Sequence, residues 1–164
     1  MYWAWLIVAA SAALVLTLAL WRVPHWLRER RRSANDQARR DFHMQRERLE
    51  CVFLQTAAVS GKPRGLRWID CDFDNDVTYA CNRRSGELAA LVGCTISFEA
   101  IEGGGMEDVA AVSNLRAATA VFEFNGKKWQ TLGRAIFNLN PAETIEHFRD
   151  QLVLVGQESA GRAP

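Results

Sequence analysis

Along the 164 residues the spacing of apolar positions changes character three times. Residues 3–20 are almost wholly Ala, Leu, Val, Ile and Trp, and no charged side chain precedes Arg22. From Ser33 to about Gln55 apolar residues return every three or four positions (Ala34, Ala38, Phe42, Leu49, Val52, Phe53), interrupted by Gln45. Arg39, Arg40, Asp41, Arg46, Glu47 and Arg48 cover the opposite side, which is the pattern of an amphipathic helix. Ser33 with Asp36 suits its N-cap and N3 positions. After the break Gly61-Lys62-Pro63-Arg64-Gly65 the period becomes two, and near Pro141 it returns to that of a helix.

The period-two region predicts strands at 66–73, ended by an Asp74-Asn75-Asp76 turn, and at 77–81. An Arg83-Arg84-Ser85-Gly86 turn leads to a third, the cleanest alternation in the chain. Ala90, Val92, Cys94, Ile96 and Phe98 face one way; Leu91, Gly93, Thr95, Ser97 and Glu99 face the other. A loop from Glu102 to about Asn114 carries Gly103, Gly104 and Gly105 and reads as a flexible connection. Then 117–124 and 127–139 flank Asn125-Gly126, the signal of a two-residue type I′ hairpin that sets Phe122 opposite Trp129 and Ala120 opposite Thr131. Asn140-Pro141-Ala142-Glu143 opens a last helix with a cap, Pro at N1 and Glu at N3. Ile145, Phe148 and Leu152 continue it as one stripe to Gly156.

The expected fold class is therefore α+β. A single N-terminal transmembrane helix (1–21) is followed by a basic juxtamembrane segment (22–32) and an amphipathic helix (33–55). A small antiparallel domain (61–156) of five meandering strands and a C-terminal helix comes next, then a frayed tail (157–164). The order and strand lengths resemble cystatin-like or NTF2-like cones, in which a curved sheet wraps a helix. That resemblance concerns fold alone and implies no activity.

Length turns the first segment into a membrane anchor. About twenty apolar residues at 1.5 Å each match the roughly 30 Å hydrocarbon core of a bilayer. Leu6, Ile7, Val8, Leu14, Val15, Leu16, Leu18 and Leu20 together favour insertion by roughly 2–5 kcal/mol. Trp3 and Trp5 at one end, and Trp21 and Trp26 at the other, occupy the two interfaces. A cleaved signal peptide would need a basic n-region, a shorter run and a small-residue cleavage site at its end; the small residues here lie mid-run, so a retained anchor is favoured. Arg22, Arg28, Arg30, Arg31 and Arg32 against Glu29 place the C-terminal side in the cytoplasm, with the N-terminus outside. The same arginines would attract anionic lipid headgroups. Pro24 just after the span predicts a bend or break.

Charge sharpens this picture. The overall +1 conceals nine arginines against five acids in 22–50 (+4), and eleven Lys/Arg against fourteen acids in 51–164 (−3). A mildly acidic domain lacks the basic footprint that nucleic acid requires, so no nucleic-acid partner is expected.

The candidates for chemistry read mostly as structure. Cys51, Cys71, Cys81 and Cys94 include no C-x-x-C pair and are read as small buried hydrophobes, reduced on the cytoplasmic side. Asp72, Asp74 and Asp76 have the spacing that opens a calcium loop, but Val77 and Arg83 stand where its Gly and Glu belong. His25, His43 and His147 do not converge with a nucleophile, so no catalytic residue, metal ligand or cofactor is assigned. The favoured function is a membrane-anchored interaction or scaffolding domain with a protein partner. The alternative is a ligand-binding or enzymatic pocket inside the curved sheet, lined by Trp68, Phe98, Phe122 and Trp129.

Overall fold

A computed structural model describes residues 2–60, 65–109, 112 and 114–159, with backbone alone for 4–21, 23–25, 27, 28, 31 and 60. The expected break at 61–64, residues 110, 111 and 113 of the glycine loop, and the last tail residues 160–164 lie outside it. The fold is α+β: a six-stranded antiparallel sheet and two helices. Two units are distinguished, Met1–Arg40 and Asp41–Pro164.

Helix α1 (Tyr2–Ser60) runs unbroken where three separate segments were expected. Pro24 removes one backbone donor without ending it. Ser33 lies inside the helix and caps nothing. In the first unit the side chains described are mostly exposed.

The second unit is built on β1 (Leu66–Asn82), β2 (Leu88–Ala100), β3 (Arg116–Phe124), β4 (Trp129–Gln130), β5 (Ala135–Phe137) and β6 (Leu152–Glu158). The strand order is β4-β3-β2-β1-β6, with β5 also on β3, and every pairing is antiparallel. The inner face carries Tyr79, Ala90, Val92, Cys94, Ile96, Ala120 and Phe122, all buried. Residues 41–60 of α1 cover it. Phe42 meets Tyr79, Phe122 and Trp129, the last at 4.9 Å between ring centroids, and Phe53 meets Trp68, Phe73 and Phe122. Burying one such ring contributes about 2–3 kcal/mol, and edge-to-face contacts add to it. Helix α2 (Pro141–His147) packs on the other face, where Ile145, Ile136 and Leu152 close over Ala80, Leu91 and Val121.

Several expectations are corrected. The two first strands are one: the ladder to β2 continues across Asp74-Asn75-Asp76 through a bulge between Phe73 and Val77. Arg46, expected on the solvent side of the helix, holds that bulge through the carbonyls of Asp74 and Asn75 while pairing with Glu50 at 2.7 Å. A second bulge at Ile69 turns that side chain outward and brings Trp68, Cys71 and Phe73 to the inner side.

The Asn-Gly hairpin pairs Phe124 with Trp129, two residues away from the expected register. Asn125 Oδ1 accepts from the amides of Lys127 and Lys128, which makes a four-residue loop. Gly126 takes a positive φ of 84° while Asn125 does not, so a type I′ turn is excluded. The shift of two preserves the faces, and Phe122 and Trp129 still point into the core. The single strand expected over 127–139 is split into β4 and β5 around Gly133.

The cap at Asn140 with Pro141 and Glu143 in the first turn is present as read, and Glu143 also accepts from the Asn140 amide, which completes a capping box. The helix nevertheless ends at His147. The stretch expected to complete it, 152–156, together with Gln157 and Glu158 of the expected tail, instead forms β6 along the outer edge of β1, from Asn82↔Leu152 to Val77↔Glu158 with one register shift between Tyr79 and Ala80. A Leu-Val-Leu-Val run suits an extended backbone better than a helix, and the free edge of β1 supplies its hydrogen bonds.

Candidate functional site

The four aromatic residues expected to line a pocket do not form one cavity. Phe122 and Trp129 are fully packed under Phe42, so the space between helix and inner sheet face is filled. Trp68 and Phe98, paired across β1 and β2, meet edge to face at 5.3 Å between centroids and are joined by Phe137 of β5. Phe53 stands between the two groups, touching both Trp68 and Phe122.

A cavity of about 300 Å³ opens beside the second group. Leu66 at the start of β1 and Phe98 near the end of β2 form its floor. Met106, Val109 and Val112 close one side from the glycine loop, and Phe137 and Asn138 the other. Arg116, the first residue of β3, supplies the one charged side chain among the described lining residues.

Register explains how the cation comes to be there. Arg116 pairs with Ile96, and Ala118, Ala120 and Phe122 follow it at intervals of two, all buried on the inner face. Burial begins at Ala118, and Arg116 itself is exposed at the end of that row.

The rim is tightly built. Gly104 lies against Gly65: a Cβ added to Gly65 would stand 2.5 Å from the Gly104 carbonyl oxygen. The Ile101 amide donates to the Gly65 carbonyl at 2.8 Å, and the Gly104 amide to that of Ile101 at 2.8 Å. The glycine run, read from sequence as a flexible connection, serves a close backbone approach here. The amides of Glu107 itself and of Gly103 donate to the Glu107 carboxylate and hold it below the usual carboxylate range. Glu99 is paired with Arg67. Asn138 adopts φ 59° and its amide donates to the Ala117 carbonyl at 2.9 Å, a left-handed conformation that Asn tolerates better than most residues. No single sequence signal marks this site, because its walls come from four separated segments.

The other candidates are dispersed. Cys71 and Cys94 are buried neighbours on β1 and β2, whereas Cys51 is exposed; all four thiols are free. The reading of every cysteine as buried is therefore corrected at Cys51, which lies on the solvent side of α1. The Cys71 thiol is pushed up by its hydrogen bond with Cys94 and by burial, and the same bond lowers Cys94. His43 Nε2 lies 2.6 Å from Glu158 Oε2 and 3.4 Å from the Tyr79 hydroxyl. His147 is exposed, with Phe148 against its ring; the side chain of His25 lies outside the described residues. Among the described residues no three His, Cys, Asp or Glu side chains converge on a metal-sized site.

Of the residues expected at a membrane interface, Trp3 and Trp26 are exposed, as are Arg22, Arg30 and Arg32, and the Arg30 guanidinium lies 3.8 Å over the Trp26 ring. The side chains of Trp5, Trp21, Arg28 and Arg31 lie outside the described residues. Among the described residues no helix is long and apolar enough to cross a membrane, and residues 4–21, which carry the expected span, are not among those with described side chains. Comparison of the chain with protein-family models, with curated proteins and with solved structures gives no match.

Proposed function

We propose that this chain is a single-pass membrane protein whose α+β domain stands at the cytoplasmic face and engages a protein partner. The observation that carries the reading is the opening of the sequence, twenty-one residues without a charge followed by Arg22, Arg28, Arg30, Arg31 and Arg32. Those arginines favour the cytoplasmic side and anionic headgroups, at about 1 kcal/mol each near the surface. The domain offers one feature suited to an extended partner segment. Strand β6 is an edge, paired among the described residues with β1 alone. Val153, Leu154 and Val155 on it are exposed, and the strand has neither Pro nor Lys to blunt its edge.

The exposed native thiol of Cys51 makes the topology directly measurable. With a membrane-impermeant thiol reagent, Cys51 is expected to label only after lysis, and a Tyr2→Cys variant in intact cells. Labelling of Cys51 before lysis, or release of the chain by alkaline carbonate, would overturn the anchor or its orientation. For the interaction, a protein that co-purifies with the detergent-extracted full-length chain and is lost on Leu154→Lys supports β6 as the contact. An unchanged co-purification profile counts against it.

A further inference from the structure

We infer that a notch between the outer face of the sheet and the end of α2 binds an aliphatic α-amino acid. The side chain enters the notch, while Glu123 holds the ammonium group and Arg134 the carboxylate at its mouth. The space is about 90 Å³. That is less than the roughly 150 Å³ that takes a benzene ring, and it suits one short branched aliphatic group.

Side-chain size creates the notch. On the outer face Leu91 stands opposite Val121, and both are buried against Ile136 and Ile145. Two residues along, Ala89 pairs with Glu123 on one side and with Ala80 of β1 on the other. Two neighbouring alanines leave that row short. Phe148, at the C-cap of α2, and Leu152 of β6 therefore flank an opening instead of filling it.

The mouth carries one charge of each sign. Glu123 follows Val121 at an interval of two on the outer row of β3, and the Val121 amide donates to the Arg134 carbonyl at 3.1 Å. Arg134 is exposed and Glu123 half-buried, so neither ion is stranded in the apolar floor. The Arg134 guanidinium lies 5.8 Å over the Phe148 ring, near the limit of a cation–π contact, and stays available to a carboxylate. Neighbouring polar groups are engaged. Asn82 Oδ1 accepts from the Arg84 and Ser85 amides, and Glu87 from the Ser85 hydroxyl at 2.8 Å. Among the described residues the Glu123 carboxylate forms no ion pair. A zwitterion with one apolar branch thus meets a partner at each of its three parts. An alkylamine or alkyl carboxylate of the same shape loses one pairing and faces a like charge.

The test uses the full-length chain in zwitterionic nanodiscs, with the methyl resonances of Ala89, Leu91 and Val121 followed by NMR. The titrants are leucine, glycine, isopentylamine (leucine without its carboxylate) and 4-methylpentanoate (leucine without its ammonium group). Leucine is expected to shift these methyls saturably, and glycine to bind at least about tenfold more weakly for want of the buried branch. The amine and the acid should each bind about two- to fivefold more weakly than leucine, the effect of one exposed charge pair. Glu123→Gln is expected to abolish the preference for leucine over 4-methylpentanoate, and Arg134→Gln the preference over isopentylamine. Ala89→Leu, which fills the notch and leaves both charges in place, is expected to abolish leucine binding. No saturable shift with leucine, equal binding of glycine, or charge preferences that survive both glutamine variants would overturn the proposal. None of these outcomes depends on the membrane topology or on the edge of β6.

Discussion

Gly133 lies directly on the backbone of α1 at Ala57: a Cβ placed on Gly133 would stand 2.4 Å from the Ala57 amide nitrogen and 2.8 Å from its Cα. Gly133 also has φ 67°, in the left-handed region that costs a side-chain-bearing residue about 1 kcal/mol. Gly86 has a similar φ of 74° with open space around it. Comparing the two separates strain from contact. Gly86→Ala should lower stability by about 1 kcal/mol, and Gly133→Ala by about 3 kcal/mol or more, since a helix backbone cannot yield as a side chain can. Thermal unfolding of the detergent-solubilised chain, followed by near-ultraviolet circular dichroism, measures both. Equal losses would show that α1 does not seat on this turn.

This contact also shows where sequence reading stopped. The stripe through Phe42, Leu49 and Phe53 was legible because each helical turn repeats it, and all three are buried. The alternation in β2 was legible for the same reason: one core face fixes every second residue. Features set by a single residue against a distant partner were not. Gly133 carries no periodicity, and the split of β4 from β5 follows from α1 pressing on that position. The Ile145, Phe148 and Leu152 spacing fitted a helix by coincidence, for the stripe is shared between α2 and a strand on the same apolar cluster. The pocket was missed similarly. Of the four expected aromatics only Phe98 lines it, and Met106, Val109 and Arg116 join it only through loop and register geometry.

His43 and Glu158 stand 115 positions apart and meet at 2.6 Å, with side chains 45% and 35% exposed. Partial exposure limits such a pair, so a double-mutant cycle with His43→Ala and Glu158→Ala should return a coupling of about 0.5–1 kcal/mol. Urea unfolding of the four proteins gives the value. A coupling of zero would mean that the contact does not help join α1 to β6.

The buried Cys71 thiol predicts an alkaline weakness. Cys71 has its proton held on by the hydrogen bond with Cys94 and by burial, so its folded affinity for the proton exceeds that of the unfolded chain. Stability from this group is complete below the ordinary thiol range, near 8.5, and declines as pH rises above it, because only the unfolded state releases the proton. Urea unfolding at pH 8 and pH 10 should show a larger fall for the native chain than for Cys71→Ala. Iodoacetamide under native conditions should modify Cys51 well before Cys71 or Cys94. An identical pH response in native chain and variant would remove Cys71 as the cause.

The end of the chain separates a tail from a strand. A frayed tail from Gln157 onward could be removed at no cost. In the fold, Gln157 and Glu158 pair with Thr78 and Val77 of β1, and Glu158 also receives His43. Val77 and Thr78 are buried, so their backbone groups lose partners without gaining free access to water. Truncation after Gly156 should therefore cost about 1–3 kcal/mol, from the lost ladder bonds and the lost carboxylate together. The truncated and full-length chains are to be compared in the same detergent by urea midpoint. Since the cut leaves Leu152, Val153 and Leu154 in place on β1, a collapse of the whole sheet is not expected. Hydrogen exchange should quicken at Val77 and Thr78 while Ala90, Val92 and Ala120 stay protected. Uniform acceleration across β2 and β3 would show instead that β6 is required for the sheet to form at all.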